Sequence, residues 1–109
     1  MHELGIAEEI VTIVTERTRG VRVTRIVLEI GTLCAVLPDA MRFCFDLATE
    51  GTVAEGARLE IVEIPGLARC RGCGASVALE RPFGRCVCGG SDLDWQSGDE
   101  LRIKEIEVA

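Results

Sequence analysis

The sequence predicts an α+β fold in which two helices pack on a three-stranded sheet and a cysteine-rich hairpin interrupts the order of the strands. Three observations predict it. Apolar residues recur at helical spacing in two segments, and they alternate with polar residues in a third. Four cysteines in two close pairs lie between the last two predicted strands. The chain therefore combines a helix-strand-helix-strand-strand domain with a metal-stapled hairpin.

The first helix is predicted over residues 4–18. Its apolar stripe repeats at helical spacing, at Leu4, Ala7, Val11 and Val14. Acidic residues lie early in this segment and Arg17 lies late, as the helix dipole favours, and Gly20 provides a C-terminal stop. A strand follows over residues 22–30, where apolar and polar residues alternate.

The second helix begins at Pro38 and Asp39, because proline is favoured in the first turn, and it ends before Gly51. Residues 59–64 and 101–108 are predicted as the two strands that complete the sheet. In the last strand the apolar residues change parity, from Leu101 and Ile103 to Ile106 and Val108, which indicates a bulge or a strand that serves two surroundings.

The cysteine-rich hairpin separates the last two of these strands, so the sequence divides into two domains. We expect an α/β domain from residues 1–64 plus 93–109 and a hairpin domain, similar to a zinc ribbon, from residues 65–92. The hairpin has little apolar content of its own, so a bound metal must supply most of its folding free energy.

The hairpin contains two close cysteine pairs in the spacing C-x2-C-x12-C-x-C, formed by Cys70, Cys73, Cys86 and Cys88. Two such pairs on tight turns present four thiolates to one tetrahedral metal ion, and the paired spacing favours a metal over disulfide bonds. The sequence shows neither an export signal nor an apolar run of about 18 residues. We therefore expect a cytoplasmic protein that makes no membrane contact and keeps its cysteines reduced.

The charge is unevenly distributed along the chain. Residues 65–92 carry four arginines against Glu80 and Asp92, a local charge of +2, and since the 109-residue chain carries −6, the remainder carries −8. An acidic body disfavours binding to a phosphate backbone, whose affinity rests on Lys and Arg. We expect no nucleic-acid partner.

His2 is the only histidine, and it lies next to the first residue. An α-amine, the following amide nitrogens and an imidazole within a few bonds can surround one ion in fused chelate rings. A plane of nitrogen donors suits Ni(II) or Cu(II), and nickel is favoured because the cytosol keeps copper as Cu(I). The alternative is a solvated surface histidine without a metal.

No residues suggest catalysis. With one terminal histidine, a Ser-His or Cys-His dyad is not expected, and no glycine-rich phosphate loop is present. The sequence predicts a protein that is not an enzyme.

The chain resembles the HypA/HybF family of hydrogenase-maturation nickel metallochaperones over essentially its whole length. The resemblance rests on several motifs: Met1-His2-Glu3-Leu4, Glu29-Ile30-Gly31, Gly51-Thr52, Glu55-Gly56-Ala57, Leu59-Glu60-Ile61, the four-cysteine arm, Cys88 to Leu93, Gly98 to Ile103 and Ile106-Glu107-Val108. The combination is far more specific than any one motif.

The resemblance implies two metal sites. Nickel would bind at Met1, His2 and Glu3, through the amine, the imidazole and the backbone amides, and a structural zinc would bind at the four hairpin cysteines. It also implies a nickel-delivery GTPase and the hydrogenase large subunit as partners, urease as a second recipient in some organisms, and a monomer or homodimer.

The chain departs from the family at Cys86-Val87-Cys88, where the family usually has a C-x2-C pair. Four-thiolate ligation is expected, with Asp92 or water in place of one thiolate, and a more labile zinc, as alternatives. Cys44 is expected to be a buried small apolar residue, and Cys34 lies in a loop. The Glu3 side chain could approach nickel or cap the first helix, and Asp39 could support the nickel site or begin its helix.

Two other functions fit parts of the pattern. A zinc-ribbon adaptor in transcription or translation would leave His2 without a role. A rubredoxin-like electron carrier would hold iron in the four thiolates.

Overall fold

The computed structural model describes residues 2–109, which form two helices and six strands. In chain order these are α1 Glu3–Thr18, β1 Val23–Gly31, α2 Pro38–Ala48, β2 Arg58–Ile64, β3 Gly66–Cys70, β4 Ser76–Leu79, β5 Leu93–Ser97 and β6 Leu101–Val108. The strands form two three-stranded sheets, with the orders β2-β1-β6 and β4-β3-β5. The predicted α+β class, with two helices and a three-stranded sheet, is confirmed.

The chain separates into two compact units. Unit 1 consists of the segment up to Leu28 together with Val36–Val62 and Arg102–Ala109, and unit 2 consists of Glu29–Ala35 and Glu63–Leu101. The independent folding of residues 1–64 plus 93–109 and of residues 65–92 stays a prediction.

Unit 1 buries the apolar faces that the sequence pattern predicts. The fully buried side chains include Val14, Ile26, Leu28, Met41 and Phe45, which come from α1, β1 and α2. The two helices contact each other. Because these residues recur at helical spacing in the helices and at alternate positions in the strand, burying them aligns the elements of the unit.

The end of α1 has the hydrogen bonding of a Schellman motif. Arg19 and Gly20 take left-handed backbone conformations, with φ of 54° and 79°. Their amides donate to the carbonyls of Glu16 and Thr15, which satisfies two of the last helical acceptors. The predicted stop at Gly20 is thus correct, although Arg19 shares the left-handed turn.

Unit 2 contains a complete small sheet rather than a simple hairpin. Strand β3 pairs antiparallel with both β4 and β5, so that Arg69 lies opposite Ser76 and Cys70 lies opposite Leu93. The prediction of a hairpin missed these strands because each has only four or five residues and little apolar alternation.

A small apolar cluster lies beneath this sheet. Leu33, from the loop after β1, packs with Ala68 and Leu79. The amide of Leu33 donates to the carbonyl of Gly98 at 2.8 Å, which fixes the loop. Gly98 has φ of 110°, a conformation that other residues rarely adopt.

Neither of the two helices in the described part of the chain is long and apolar enough to cross a bilayer.

Candidate functional site

The four hairpin cysteines converge in unit 2. The Sγ atoms of Cys70, Cys73, Cys86 and Cys88 all lie within 4.8 Å of one another. Cys70 and Cys88 are 3.7 Å apart at Sγ, and Cys73 and Cys86 are 3.5 Å apart. A tetrahedral zinc with Zn–S bonds of about 2.3 Å needs sulfurs about 3.8 Å apart. The sulfurs therefore fit a four-thiolate zinc site, and they are too distant for disulfide bonds of about 2 Å.

The first cysteine pair lies on a tight turn at the end of β3. Gly74 donates its amide to the carbonyl of Cys70 at 2.7 Å and has φ of 79°, while Cys70 donates its own amide to Ala75 at 2.9 Å. Glycine permits this turn because it has no Cβ to clash at positive φ. The turn places Cys73 beside Cys70.

The shortened second pair forms a turn of its own. Gly89 donates to the carbonyl of Cys86, and Cys86 donates to Gly90, both at 2.9 Å. A Cβ added at Gly90 would lie 3.4 Å from the sulfurs of both Cys70 and Cys88. The C-x-C spacing thus delivers both of its sulfurs to the cluster, and glycine at position 90 leaves space for them.

Asp92 is not a member of the cysteine cluster. Its side chain is exposed, and its Oδ1 lies 3.9 Å from Nε of Arg71. The positions of the sulfurs favour four thiolates over a mixed set of three thiolates and a carboxylate.

The thiols influence one another's ionisation. Hydrogen bonds from the backbone amides of Cys73 and Gly72, together with contacts to the thiols of Cys88 and Cys73, lower the pKa of Cys70 to about 7. The Ala75 amide favours the thiolate of Cys73, but the neighbouring sulfurs outweigh it and raise the pKa of Cys73 to about 12. The first thiol of the cluster ionises easily, but each further thiolate would be repelled by the negative charge already present. A bound cation is therefore needed for all four cysteines to be thiolates together.

The burial of the cluster is uneven. Cys70 and Cys86 are buried, whereas Cys73 and Cys88 are exposed. A metal held here would therefore be anchored on one side and accessible on the other.

The predicted nickel residues lie at the start of α1, except Met1, which lies outside the described residues. His2 is exposed and occupies the N-cap position, and its carbonyl accepts the first helical hydrogen bond, from Ile6 at 3.1 Å. Its imidazole makes no capping hydrogen bond. Because the first amides of a helix have no acceptor within the helix, the Glu3 amide is not part of the helical ladder.

The Glu3 side chain is oriented toward the beginning of α2. Its Oε2 accepts a hydrogen bond from the amide of Leu37, the N-cap residue of α2, at 3.4 Å. The pKa of Glu3 is lowered, first by its own backbone amide, then by the Leu37 amide and by the positive chain terminus. Asp39 lies two residues beyond, in the first turn of α2.

Comparison with known proteins identifies the family. Residues 1–108 match the family model described as hydrogenase/urease nickel incorporation, metallochaperone, HypA. The chain belongs to the HypA family.

Curated relatives agree over nearly their full length. "Hydrogenase maturation factor HypA" of Trichormus variabilis is 62% identical over 108 residues, covering 99% of this chain and 96% of the relative. The protein of the same name from Azotobacter vinelandii is 51% identical over 112 residues, covering 99% of each.

Solved structures share the fold. The solution structure of the Ni metallochaperone HypA from Helicobacter pylori has a TM-score of 0.69 at 21% identity, covering 99% of this chain and 97% of that one. A second HypA solution structure has a TM-score of 0.66 at 22% identity, covering 100% and 97%. The HypA fold is therefore retained where sequence identity is low.

The two other cysteines of this HypA chain lie outside the cluster. Cys34 is half-buried, its thiol donates to the carbonyl of Glu100 at 3.1 Å, and burial raises its pKa. Cys44 is also half-buried rather than fully buried. Cys44 was expected to be buried, and it is only partly so. The fully buried side chains of α2 are Met41 and Phe45.

One contributor to the sites was missed by the sequence reading. Leu37 contributes only a backbone amide, which no side-chain pattern reveals.

Proposed function

We propose that this HypA-family chain binds Ni(II) through the Met1 amine, the His2 imidazole and the backbone amides of His2 and Glu3, and delivers it during maturation of nickel-iron hydrogenase. The observation that carries the proposal is the exposed, uncommitted imidazole of His2 at the N-cap of α1. Amides at this position lie outside the helical ladder, so using them as ligands does not break the helix.

The donor set also explains why nickel is cargo. Nitrogen donors close in sequence form fused chelate rings that suit a square-planar ion. Binding displaces the protons of the two amides and any carried by the amine and imidazole, so acid releases the metal. A site on an exposed terminus is accessible to a receiving protein, which is what transfer requires.

The acidic side chains around this terminus support a cation. The carboxylate of Glu3 is held near by its bond to Leu37, and Asp39 follows on α2. We propose that Glu3 contributes its amide as a ligand while its carboxylate fixes the terminus to α2.

The four hairpin cysteines would hold a zinc ion with a structural role. Zinc would supply charge compensation for four thiolates, and the turns after Cys70 and Cys86 position those thiolates before it binds. The four-cysteine cluster fits this ion, and a transfer step would not pass through it.

The receiving proteins are part of the proposal. We propose that the chain acts in the cytoplasm with a nickel-delivery GTPase and the hydrogenase large subunit, and that it serves urease where that enzyme is present. The chain would itself transfer metal without catalysing a reaction. Family membership favours this role over a zinc-ribbon adaptor or a rubredoxin-like carrier.

Calorimetric titration with Ni(II) tests the proposal. His2→Ala should abolish tight binding, whereas Glu8→Ala, which removes an exposed acid from the same helix, should bind nickel as the native protein does. Equal nickel affinity in the His2→Ala variant and the native protein would contradict the proposed site.

A further inference from the structure

An exposed aromatic loop in unit 2 has no role in either metal site. Phe83 is 87% exposed, and Val87, at the tip of the second cysteine turn, is completely exposed. Exposed apolar side chains that line one groove, as Phe83 and Trp95 do, commonly mark a binding surface.

This loop borders a groove. An open cavity of about 460 Å³ is lined by Pro82, Phe83, Gly84, Arg85, Leu93 and Trp95, together with one serine. Trp95, on strand β5, is 43% exposed and offers a second aromatic ring. We call the surface formed by Pro82, Phe83, Arg85, Leu93 and Trp95 the Phe83 surface.

The loop is anchored despite its exposure. A Cβ added at Gly84 would lie 2.6 Å from Cδ2 of Leu79, and Leu79 belongs to the buried cluster of the unit. Arg85 donates from Nη1 to the carbonyl of Gly89 at 3.3 Å, across the turn of the second cysteine pair. A surface held in place before binding loses less entropy when a partner docks.

Two arginines at this surface form no ion pair in the described part of the chain. Within the described residues, Arg71 forms the ion pairs with Asp92 and Asp94, whereas neither Arg81 nor Arg85 pairs with a carboxylate. Two guanidinium groups that form no ion pair therefore line one cavity together with the exposed phenyl ring of Phe83. Arginine and aromatic residues are enriched where proteins bind one another.

We propose that the Phe83 surface docks an acidic peptide segment of a protein partner, one that carries an apolar side chain between its carboxylates. The apolar side chain enters the groove between Phe83 and Trp95, and the carboxylates pair with Arg81 and Arg85. The rest of the chain carries a charge of −8, which repels a long polyanion such as a nucleic acid more strongly than a short segment with a few carboxylates, and this favours a protein as the occupant. This surface goes beyond nickel binding and does not depend on it.

The intrinsic fluorescence of the chain reports on this groove, because Trp95 is its only tryptophan and lines the groove. The zinc-loaded full chain is titrated with a twelve-residue peptide of alternating Glu and Leu, while the emission of Trp95 is recorded. Binding should shift the emission to shorter wavelength as the indole loses water. A matched peptide of alternating Lys and Leu should bind at least about tenfold more weakly, since like charges repel at the arginines.

Three variants locate the binding. Phe83→Ala should weaken the Glu-Leu peptide about tenfold, as expected for removal of an aromatic anchor. Arg85→Glu should weaken binding of the Glu-Leu peptide by a similar factor. If this charge reversal beside Cys86 causes loss of zinc, Arg81→Glu replaces it as the test variant and should weaken binding in the same way. Arg69→Glu makes the same change of charge in unit 2 outside the groove, and its effect should be below about twofold.

Other results would overturn the proposal. These are an absence of binding by the Glu-Leu peptide, equal binding of both peptides, or equal losses in Arg69→Glu and Arg85→Glu. Tighter binding of a twelve-nucleotide oligouridylate would assign the surface to nucleic acid. Self-association at the concentrations of the titration, measured by sedimentation velocity and removed by Phe83→Ala, would assign it to a second copy of this chain.

Discussion

The carboxylate of Glu3 accepts a hydrogen bond from the backbone amide of Leu37, with Oε2 3.4 Å from the nitrogen. This contact joins the first residue of α1 to the N-cap of α2 across 34 positions of sequence. In the nickel site that we propose, a side chain engaged in this way would act on nickel indirectly, by linking the start of α1 to α2.

The first prediction follows from this contact. Glu3→Gln keeps an oxygen acceptor for the Leu37 amide, whereas Glu3→Ala removes it, so Glu3→Ala should unfold at the lower temperature, by no more than about 3 °C. Both variants keep the Glu3 backbone amide and should bind nickel within about threefold of the native protein. A loss of affinity above tenfold in both variants would show that the carboxylate is a ligand.

The pH dependence of this contact has a definite sign. The pKa of Glu3 is lowered in the folded protein, first by its own amide and then by that of Leu37. Its contribution is therefore present above the pKa of an unfolded glutamate, about 4.3, and is lost as pH falls through the lower folded value. The difference in unfolding temperature between native protein and Glu3→Ala should be present at pH 7 and decrease as pH falls below about 4.3.

The second prediction concerns the cysteine cluster. Cys73→Ala should reduce the zinc content from about one per chain to near zero and make residues 65–92 sensitive to protease, because the sheet of unit 2 has a small apolar cluster. Helical circular dichroism should persist, since α1 and α2 bury their own apolar faces in unit 1. Cys44→Ala is the control and should retain zinc. Loss of helical signal in Cys73→Ala would show that the units do not fold independently.

The third prediction concerns the space at Gly90. A Cβ there would lie 3.4 Å from the sulfurs of both Cys70 and Cys88, at the close limit of ordinary contact and against two ligand atoms at once. Gly90→Ala should therefore lose zinc to a chelator several-fold faster than the native protein. Gly72→Ala is the matched control, because its Cβ would lie 3.7 Å from the Cys70 sulfur, an ordinary contact. Equal rates in the two variants would mean that the sulfurs move apart without loss of ligation.

The fourth prediction concerns acid and nickel. Binding through an amine, an imidazole and two amides releases more than one proton, so affinity should fall more than tenfold per pH unit between about pH 8 and pH 6. Calorimetry in buffers of different ionisation enthalpy measures the number of protons released. A flat profile would point to ligands that are already deprotonated, such as carboxylates.

Strong periodicity made most of the fold predictable. The predicted bounds of α1 and of β1, β2 and β6 differ from the observed ones by no more than one residue, because each element contains several apolar residues at helical or largely alternating positions, although the alternation changes parity within β6. The short strands β3, β4 and β5 escaped prediction, since their pairing depends on neighbours brought together by the cysteine turns.

The sites were predictable where side chains provide the chemistry. The convergence of four cysteines follows from paired spacing, even with the shortened Cys86-Val87-Cys88 turn. The hydrogen bond from the Leu37 amide to the Glu3 carboxylate was not predictable. Its donor is a backbone amide, which nearly every residue has, so the residue type at position 37 gives no signal. The packing of Leu33 against Ala68 and Leu79 within unit 2 was missed as well, since a single leucine in a loop belongs to no periodic pattern.

The central claim is that nickel binds the chain terminus itself, and an N-terminal extension tests it most directly. Two glycines added before Met1 leave His2 unchanged but convert the α-amine of Met1 into an amide, which removes a strong donor and breaks the fused chelate rings. The same residues added after Ala109 are the control.

Nickel titration of the two extended proteins, with zinc content measured in parallel, decides the matter. The account predicts that the N-terminal extension abolishes tight nickel binding, that the C-terminal extension leaves it unchanged, and that both retain zinc. Unimpaired nickel affinity in the N-terminally extended protein would contradict the account and return His2 to the status of a surface histidine.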